Sequence, residues 1–379
     1  MFGRNTNLYI FIIFVIVVLF SFITVYAVSG QSAKTVGVSA RAAVLYQPDT
    51  ESFIYSKNAE KRLPMASTTK IMTGLVAIEN SSLDERVKID SRAIGTEGSS
   101  AYLKEGDVLT MEELLYALLL RSANDAAVAI ACHISGSVEG FADMMNERAL
   151  SLGLKNTSFK NPHGLDDEEH YTTACDLALI AAEALKNDTF KKICSTYKKS
   201  FTDGEITRLY VNHNKLLNMY EGSLGMKTGY TKKSGRCLVG AAERDGLTFI
   251  TVTLDAPDDW RDHKELFDLG FATLEKIQFA NAGDYSYTLP VFDGVAETVE
   301  VENLENDGII VKRGNHSVEE YIKLSKFATA PIRRGEIFGE VIFTLDGEPI
   351  SKVKLVATED IDKKKEKGFF EKLIESLGF

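Results

Sequence analysis

Hydrophobic and polar residues follow different patterns in successive parts of this 379-residue chain. Residues 42–46 and 53–55 are short apolar segments on either side of a polar turn, which predicts a β-hairpin. Between Ser67 and about Leu185 the apolar residues recur at the spacing of buried helices. Strand-like segments return near Val211, and residues 264–277 again show helical spacing. This order predicts an α/β protein of the α+β kind, with an antiparallel sheet flanked by helices and a helical lobe.

The last hundred residues have a different pattern. Residues 281–358 contain short alternating segments, which predicts a small all-β C-terminal domain. Residues 359–379 hold a lysine cluster and then an apolar stripe made of Phe370, Leu373, Ile374 and Leu377. Such a stripe beside basic residues is typical of a helix that lies at a membrane surface, although a helix packed on the protein body is the alternative. We expect residues 359–379 to be an amphipathic membrane-anchoring helix.

The N-terminal region predicts export. Residues 8–28 form an uninterrupted run of 21 mostly apolar residues, which is long enough to cross a bilayer. Small residues at 27–29 suit cleavage by signal peptidase. We therefore expect residues 1–30 to be a signal peptide or an N-terminal membrane anchor. Either outcome places the rest of the chain at the extracytoplasmic face of the cell membrane.

Composition narrows the possible functions. The apolar fraction of 45% is enough for two packed domains, and the net charge of −11 argues against a nucleic-acid partner. The chain has an even number of cysteines, which allows three disulfide pairings, but all lie in predicted helix or strand interiors. They are Cys132, Cys175, Cys194 and Cys237. We expect free, buried thiols and no structural metal, because no cysteine pair has metal-ligand spacing. We also expect no cofactor.

A serine and a lysine three residues apart supply the first candidate chemistry. Ser67 and Lys70 stand at the start of an apolar helical segment, after Pro64, which suits a helix start. On a helix they share a face, with about 5–6 Å between their Cβ atoms, so the amine can reach the hydroxyl. The free N–H groups and positive dipole of a helix N-terminus would also stabilise an oxyanion there. The pattern indicates a serine nucleophile with its own base.

Two more motifs follow in order. Ser122-Ala123-Asn124 ends an apolar run and, taken alone, could be a helix cap. Lys227-Thr228-Gly229 lies on a predicted strand, residues 225–231, that a turn joins to another strand. Gly225 and Gly229, on either side of Lys227, can let a substrate backbone lie against the strand edge.

Similar fragments elsewhere lack this context. Ser195 with Lys198 lies in a basic, polar run, and Ser351 with Lys354 lies in a strand-like segment. Lys233-Ser234-Gly235 imitates the third motif but occupies the predicted turn. We do not expect these copies to be catalytic.

The ordered motifs resemble the low-molecular-mass penicillin-binding proteins, the serine-type D-alanyl-D-alanine carboxypeptidases that share a fold with class A β-lactamases. The resemblance extends from about Ser39 to Phe271 and continues more weakly to the C-terminus. Its best-matching segments are residues 62–73, 119–127, 161–165, 212–217 and 225–231. It implies a β-lactamase/transpeptidase-like catalytic domain at residues 31–280 and a β-rich domain at 281–358.

The resemblance also implies a reaction. Ser67 would attack the penultimate D-alanine of a peptidoglycan stem pentapeptide and release the terminal D-alanine, in cell-wall biogenesis. Lys70 would accept the serine proton, with a pKa lowered by burial and by Lys227. Ser122 would pass the proton to the leaving amine. β-Lactam antibiotics such as penicillin would be covalent inhibitors.

The remaining motif residues would bind the substrate. The resemblance implies that Asn124 holds Lys70 and the substrate amide, and that Lys227 and Thr228 bind the terminal carboxylate. Gly229 leads to Tyr230, whose backbone N–H would complete the oxyanion hole with that of Ser67.

Two alternatives remain from the sequence. A class A-like β-lactamase needs a deacylating glutamate, and the candidate, Glu183, lies on a predicted helix with Lys186 in place of the usual leucine. A non-catalytic peptidoglycan-binding or scaffold protein would not need the intact catalytic residues. We therefore expect a carboxypeptidase with a long-lived penicillin adduct.

One departure from the family concerns carboxylate binding. Many relatives have an arginine shortly before the closing helix, whereas Asp259 occupies that position here. We do not expect Arg261 to replace it, so binding would depend more on Lys227 and Thr228. We expect His163 to be structural, His213 to lie at the rim of the site, and residues 166–170 to form a solvated loop.

Overall fold

The computed structural model describes residues 36–204 and 206–365. The predicted signal or anchor at residues 1–30 and the apolar stripe from Phe370 to Leu377 lie outside the described residues. Within the described ranges, no helix is both long and apolar enough to cross a membrane. The chain from Val38 onward forms one compact unit, to which the fold and the site below belong.

The described part of the chain contains these helices: α1 (Lys70–Asn80), α2 (Met111–Leu119), α3 (Asn124–Ser135), α4 (Val138–Ser151), α5 (Ala174–Leu185), α6 (Asp188–Cys194), α7 (Leu216–Met219) and α8 (Asp259–Thr273). Side-chain caps fix several starts. The Thr110 hydroxyl accepts a hydrogen bond from the Glu113 amide at α2, and the Thr173 hydroxyl accepts one from the Asp176 amide at α5.

The strands are β1 (Ala42–Gln47), β2 (Ser52–Lys57), β3 (Arg86–Lys88), β4 (Val108–Thr110), β5 (Lys198–Asp203), β6 (Ile206–Val211), β7 (Ser223–Thr231), β8 (Gly235–Arg244), β9 (Leu247–Leu254), β10 (Leu274–Ala280), β11 (Ser286–Phe292), β12 (Thr298–Glu302), β13 (Asp307–Lys312), β14 (Val318–Leu324), β15 (Ala328–Thr329), β16 (Ile337–Leu345) and β17 (Glu348–Ala357). The predicted hairpin at β1 and β2 is confirmed, as is the hairpin of β7 and β8.

A five-stranded antiparallel sheet of order β2-β1-β9-β8-β7 forms the centre of the catalytic region. Helix α5 contacts β1 and β9, and helix α8 contacts β8 and β9. All six residues of β1 are buried, because helices cover both faces of the sheet. Strand β7 is left at the edge. The predicted antiparallel sheet flanked by helices is confirmed.

Helix α1 forms the centre of the helical lobe. Its first eight residues are buried, and it contacts helices α2 to α6. Because it is packed on all sides, its N-terminus is held in a fixed position relative to β7. The predicted helical region is not continuous, however. The short β3–β4 hairpin and its flanking loops separate α1 from α2.

The closing helix differs from its predicted range. It starts at Asp259, earlier than the predicted residue 264, and it ends at Thr273. Residues 274–280 form β10, in which half-buried and exposed side chains alternate between Glu275 and Phe279, and this strand pairs with β13. The alternating pattern of a strand replaces helical spacing at Leu274, which explains why the predicted helix was too long.

The C-terminal region is all β, as predicted. Its six-stranded sheet has the order β14-β16-β17-β12-β11-β15, in which only β11 and β15 are parallel among the described strands. Its core includes Val301, Phe343 and Leu355. Residues 359–365, where the predicted anchoring helix would begin, are not helical, and Ile361 forms a β-bridge with Ile332.

The cysteines agree with the expectation of free thiols. All four are buried and unpaired.

Candidate active site

Ser67 lies on a tight turn immediately before α1. Residues Ala66–Thr69 form one turn of 3₁₀ helix, and Ala66 has a left-handed backbone with φ of 48°. Such a conformation in a residue other than glycine is strained and is often found at functional sites. Gly164 packs under this turn, where a Cβ atom would come within 2.0 Å of the Ala66 carbonyl oxygen. The position of Ser67 near a helix N-terminus, predicted from sequence, is confirmed.

Lys70 is fully buried and lies beside the serine hydroxyl. Its Nζ is 3.0 Å from Ser67 Oγ, 2.6 Å from Asn124 Oδ1 and 2.6 Å from the His163 carbonyl oxygen. Burial, and then the nearby charge of Lys227, lower the pKa of Lys70 well below its usual value. A neutral amine has two N–H donors and one lone pair. Because the Asn124 and His163 oxygens can only accept, that lone pair faces the Ser67 hydroxyl.

Asn124 is held in one orientation. Its Nδ2 donates to the Glu97 carbonyl oxygen at 2.5 Å, so its Oδ1 faces Lys70. Its backbone N–H donates to the Ser99 carbonyl oxygen at 2.7 Å. The neighbouring Asp125 carboxylate accepts from the Ala101 and Leu103 amides and from the Ser100 hydroxyl. Asn124 and Asp125 therefore hold the loop at residues 97–103 in place beside the site.

Ser122 lies between α2 and α3 in a left-handed conformation, with φ of 62°. It is buried and faces the same cleft as Ser67. A hydrogen bond connects this region to the segment that carries His213. The His213 backbone N–H donates to the carbonyl oxygen of Leu120, two residues before Ser122, at 3.1 Å.

Strand β7 forms the opposite wall. Lys227 is buried, and its Nζ donates to the Thr228 carbonyl oxygen at 2.9 Å. Burial lowers the pKa of Lys227 to about 7. The glycines accommodate the protein's own backbone: a Cβ on Gly225 would lie 2.3 Å from the Cys194 carbonyl oxygen, and one on Gly229 would lie 2.9 Å from the Ser67 amide nitrogen. The backbone that approaches both glycines belongs to this chain, whereas the sequence pattern suggested a substrate backbone.

Between these walls lies an open cleft of about 420 Å³. Its lining residues come from both motif-bearing regions and from the segments around them: Ser67, Ser99, Ser122, His213, Lys215, Thr228, Gly229, Tyr230, Arg236, Asp259 and Trp260. Lys70, Asn124 and Lys227 are buried. The three motifs, far apart in sequence, thus meet at one site.

The imitating motifs lie elsewhere. Ser195 donates to the Lys191 carbonyl oxygen at the end of α6, and Ser351 lies on β17 of the other sheet. Glu183 is on helix α5, paired with Arg148 and Lys186, and it does not line the cleft.

The histidines follow the expectations with one exception. His213 lines the cleft, and His163 contributes its backbone carbonyl to Lys70. Residues 166–169 are exposed, as expected of a solvated loop, but His170 is buried. Its Nε2 lies 2.7 Å from the Thr69 hydroxyl, which connects the end of this loop to the Ser67 turn. Burial lowers the pKa of His170 to about 4.

A charged pair at the cleft was not predicted. Arg236 of β8 donates from Nε and Nη2 to Asp259 Oδ1, at 3.0 and 2.9 Å. Arg261 instead pairs with Asp258, Asp262 and Glu265 outside the cleft. Among the residues that the structure describes, no cluster of three or more His, Cys, Asp or Glu side chains could hold a metal ion.

Comparison with known proteins identifies the family. The D-alanyl-D-alanine carboxypeptidase family matches residues 29–258, and the C-terminal domain of penicillin-binding protein 5 matches residues 274–363. The chain belongs to the D-alanyl-D-alanine carboxypeptidase family. It is 33% identical over 345 residues to the Bacillus subtilis carboxypeptidase DacF, covering 88% of this chain and 89% of DacF. It is 31% identical to Escherichia coli DacC, covering 90% and 88% of the two chains.

Solved structures of this family share the fold. Penicillin-binding protein 5 from Haemophilus influenzae matches with a TM-score of 0.62 and 30% identity, over 86% of this chain and 98% of its own. The Streptomyces K15 DD-transpeptidase matches with a TM-score of 0.59 and 34% identity, over 62% and 98%. The β-lactamase/transpeptidase-like fold with an all-β C-terminal domain is confirmed. As a D-alanyl-D-alanine carboxypeptidase, the chain is a serine hydrolase, and the β-lactamase and scaffold alternatives are not favoured.

Proposed function

We propose that this carboxypeptidase removes the terminal D-alanine from peptidoglycan stem pentapeptides through an acyl-enzyme on Ser67. The observation that supports this most strongly is the environment of Lys70. The Lys70 amine donates to two fixed acceptors, and its Nζ lies 3.0 Å from Ser67 Oγ, so in its neutral form the amine turns its lone pair to the Ser67 hydroxyl. This is the arrangement that general-base activation of a nucleophile requires.

Acylation transfers one proton around the site. Ser67 Oγ bonds to the carbonyl carbon of the penultimate D-alanine while Lys70 accepts the hydroxyl proton. Ser122, buried at the same cleft, passes its hydroxyl proton to the departing amine as the carbon–nitrogen bond breaks, and it regains a proton from Lys70, which becomes neutral again. Water then hydrolyses the ester and regenerates Ser67.

The oxyanion hole consists of the backbone N–H groups of Ser67 and Tyr230. Strand β7 lies at the sheet edge, so alternate N–H groups point away from β8. The Thr231 N–H donates to Ser234 Oγ on the β8 side, so the Tyr230 N–H faces the open edge. Gly229 keeps this edge close to the Ser67 amide.

The substrate lies along β7. Asn124 contacts the substrate amide as well as Lys70, Thr228 and Lys227 bind the terminal carboxylate, and Gly229 and Tyr230 present their backbone. The exposed side chain of Tyr230 leaves its main-chain role unchanged. An extended peptide beside an edge strand can form main-chain hydrogen bonds of the kind found in a sheet.

β-Lactams acylate the same serine and remain attached. Among the residues that line the described cleft, Asp259 is the one carboxylate, and Arg236 holds it. Within the part of the chain that the structure describes, the cleft therefore offers no free carboxylate of the class A deacylating type. Penicillin consequently inhibits the enzyme and is not rapidly destroyed.

Intact-mass spectrometry with benzylpenicillin tests the assignment. We expect a stable adduct that peptide mapping places on Ser67, and loss of that adduct and of D-alanine release in Ser67→Ala and Lys70→Ala. Ser195→Ala and Ser351→Ala are matched controls, because each removes a serine from an imitating motif, and both should react normally. Acylation of Ser67→Ala at the normal rate would disprove the assignment.

We also propose that the enzyme is attached to the extracytoplasmic face of the bacterial membrane through a C-terminal helix that carries the apolar stripe from Phe370 to Leu377. The sequence pattern supports this: an apolar stripe follows Lys363, Lys364, Lys365 and Lys367. Electrostatic attraction of such a lysine cluster to anionic lipid adds to the binding free energy that comes from burying the apolar stripe in the membrane interface.

Vesicle flotation tests the attachment. Residues 31–379 should float with vesicles that contain anionic phospholipid, and high salt should weaken the binding. The double substitution Leu373→Asp and Leu377→Asp should abolish flotation, whereas Glu375→Gln, outside the stripe, should not. Flotation of the double variant to the normal extent would refute the proposed helix.

A further inference from the structure

Arg236 lies on β8, the strand next to the Lys227-Thr228-Gly229 motif of β7, and faces the same cleft. In the ladder of β7 and β8, Arg236 is directly opposite Tyr230, and Thr228 is its diagonal neighbour. Opposite residues of an antiparallel pair point to the same face of a sheet, and diagonal neighbours are about 7–8 Å apart. The guanidinium, Thr228 and Ser67 all line the one cavity.

The guanidinium is fixed on one edge and one face. Asp259 Oδ1 accepts from both Nε and Nη2, and the same oxygen accepts from the Trp260 amide at 2.9 Å. The Trp260 ring lies under the guanidinium, with its centroid 5.7 Å from Arg236 Cζ. Asp259 is buried, while the Arg236 side chain is 42% exposed. The anchor is therefore inside the protein and the cation faces the cleft.

One edge of the guanidinium remains available. Within the described residues, Nη1 has no hydrogen-bond partner, and each terminal nitrogen carries two N–H groups. The edge formed by Nη1 and Nη2 can therefore donate two parallel hydrogen bonds, which is the geometry that matches a carboxylate.

The other cations at the site are less suited to hold a carboxylate. Lys227 is buried, and its pKa of about 7 leaves it only partly charged in neutral solution. Lys215 also lines the cleft, but it is exposed, and no ion pair orients it within the described part of the chain. A guanidinium keeps its charge throughout the physiological pH range.

We propose that Arg236 binds the C-terminal carboxylate of the substrate, and that Asp259 is the residue that positions it. The cation that many relatives place before the closing helix is then supplied by strand β8, and an aspartate stands at the former position to anchor it. This inference rests on the carboxypeptidase function proposed for the same cleft.

Substrate pairs that differ only in the carboxylate test the proposal. The first pair is diacetyl-L-lysyl-D-alanyl-D-alanine and its C-terminal amide, and the second is benzylpenicillin and its methyl ester. In Arg236→Gln we expect kcat/KM for the free acid to fall about 10- to 100-fold, mainly through KM, as loss of hydrogen bonds to a charged group predicts. The amide and the ester should change less than about threefold, because they lack the charge that Arg236 binds.

Three further variants separate binding from folding. Arg236→Gln with Asp259→Asn removes the pair without leaving a buried charge, and it should show the same selective loss. Asp259→Asn alone should give a smaller loss with the same preference for the acid substrates, because Arg236 remains but is not anchored. Arg261→Gln removes a nearby arginine outside the cleft and should behave as the wild type.

The outcomes distinguish this inference from the proposed function. Normal D-alanine release by both Arg236→Gln and the double variant would overturn the role of Arg236 and leave the carboxypeptidase function intact. An equal loss on acid and amide substrates would also overturn it, since it would indicate a structural role. If the wild type released no D-alanine, the proposed function would fail, and the acylation rates with benzylpenicillin and its ester would still decide the role of Arg236.

Discussion

Lys70 and Lys227 are both buried amines, and burial lowers the pKa of each. The pKa of Lys70 is lowered by burial and by the charge of Lys227, whereas burial alone lowers the pKa of Lys227 to about 7. A proton on Lys227 disfavours a proton on Lys70, because the two positive charges repel each other. With Lys227 protonated, Lys70 can accept the Ser67 proton while Lys227 binds a carboxylate.

The pH profile of acylation should reflect the titration of both amines. We predict that kcat/KM rises with pH as Lys70 loses its proton, because only the neutral amine is a base. Above about pH 7, kcat/KM should fall toward a lower plateau as Lys227 loses its charge and Arg236 keeps its own. Stopped-flow acylation by benzylpenicillin between pH 4 and pH 10 would measure both limbs.

Lys227→Arg provides the control, because a guanidinium does not titrate in this range. Circular dichroism would first establish that this variant is folded. The descending limb should then disappear and the ascending limb remain. A descending limb near pH 7 that persisted in the folded variant would show that another group causes it.

Among individual residues, the sequence predicted the side chains that belong to the recognised motifs. Ser67 and Lys70 were predicted from their spacing on one helix, and the ordered motifs indicated Asn124. The His163 carbonyl was missed as a ligand of Lys70, since a main-chain contact depends on loop geometry and not on side-chain type. Arg236 was missed because its anchor, Asp259, is 23 residues away.

Among the elements, the contact of β7 with the Ser67 turn controls the site most directly. A Cβ at Gly229 would lie 2.9 Å from the Ser67 amide nitrogen and 3.0 Å from Ala66 Cβ. Both neighbours belong to a turn that is packed beneath by Gly164, so neither can yield without moving the nucleophile. The strand and the turn therefore fix the width of the oxyanion hole.

We predict that Gly229→Ala slows acylation by about 10- to 100-fold, because a shift of the order of an ångström in an oriented site has an effect of that size. Gly314→Ala is a suitable control. There the nearest atom, in the His316 ring, would be at 3.4 Å, an ordinary contact. The measurement is the second-order rate of adduct formation with benzylpenicillin. A wild-type rate in Gly229→Ala would mean that the strand and the turn are not closely coupled.

Element types were easier to predict than element ends. The β7–β8 hairpin follows from two apolar segments around a polar turn, and the structure has it at the predicted place. The closing helix was given too late a start and too late an end. Its first turn contains Asp259 and Asp262, which are buried because Arg236 and Ser39 bind their carboxylates. Partners so far away in sequence do not appear in the local hydrophobic pattern.

For the whole molecule, the sequence predicted two regions of different class and the family that they belong to. It did not predict how strands far apart in sequence pair. Strand β1 lies between β2 and β9, and β9 begins 190 residues after β2 ends. Strand β11 pairs with β15 in parallel. Such pairings are determined by packing of the complete chain, whereas alternation within one strand gives only its buried face.

The four unpaired, buried cysteines bear on how this enzyme matures. Burial raises the pKa of Cys194 and Cys237 to about 12, so the reactive thiolate is scarce at neutral pH. With no cross-link to form, folding outside the cytoplasm does not wait for an oxidant or a disulfide isomerase. The same protein can therefore reach its native state in oxygen-free surroundings and in aerated ones.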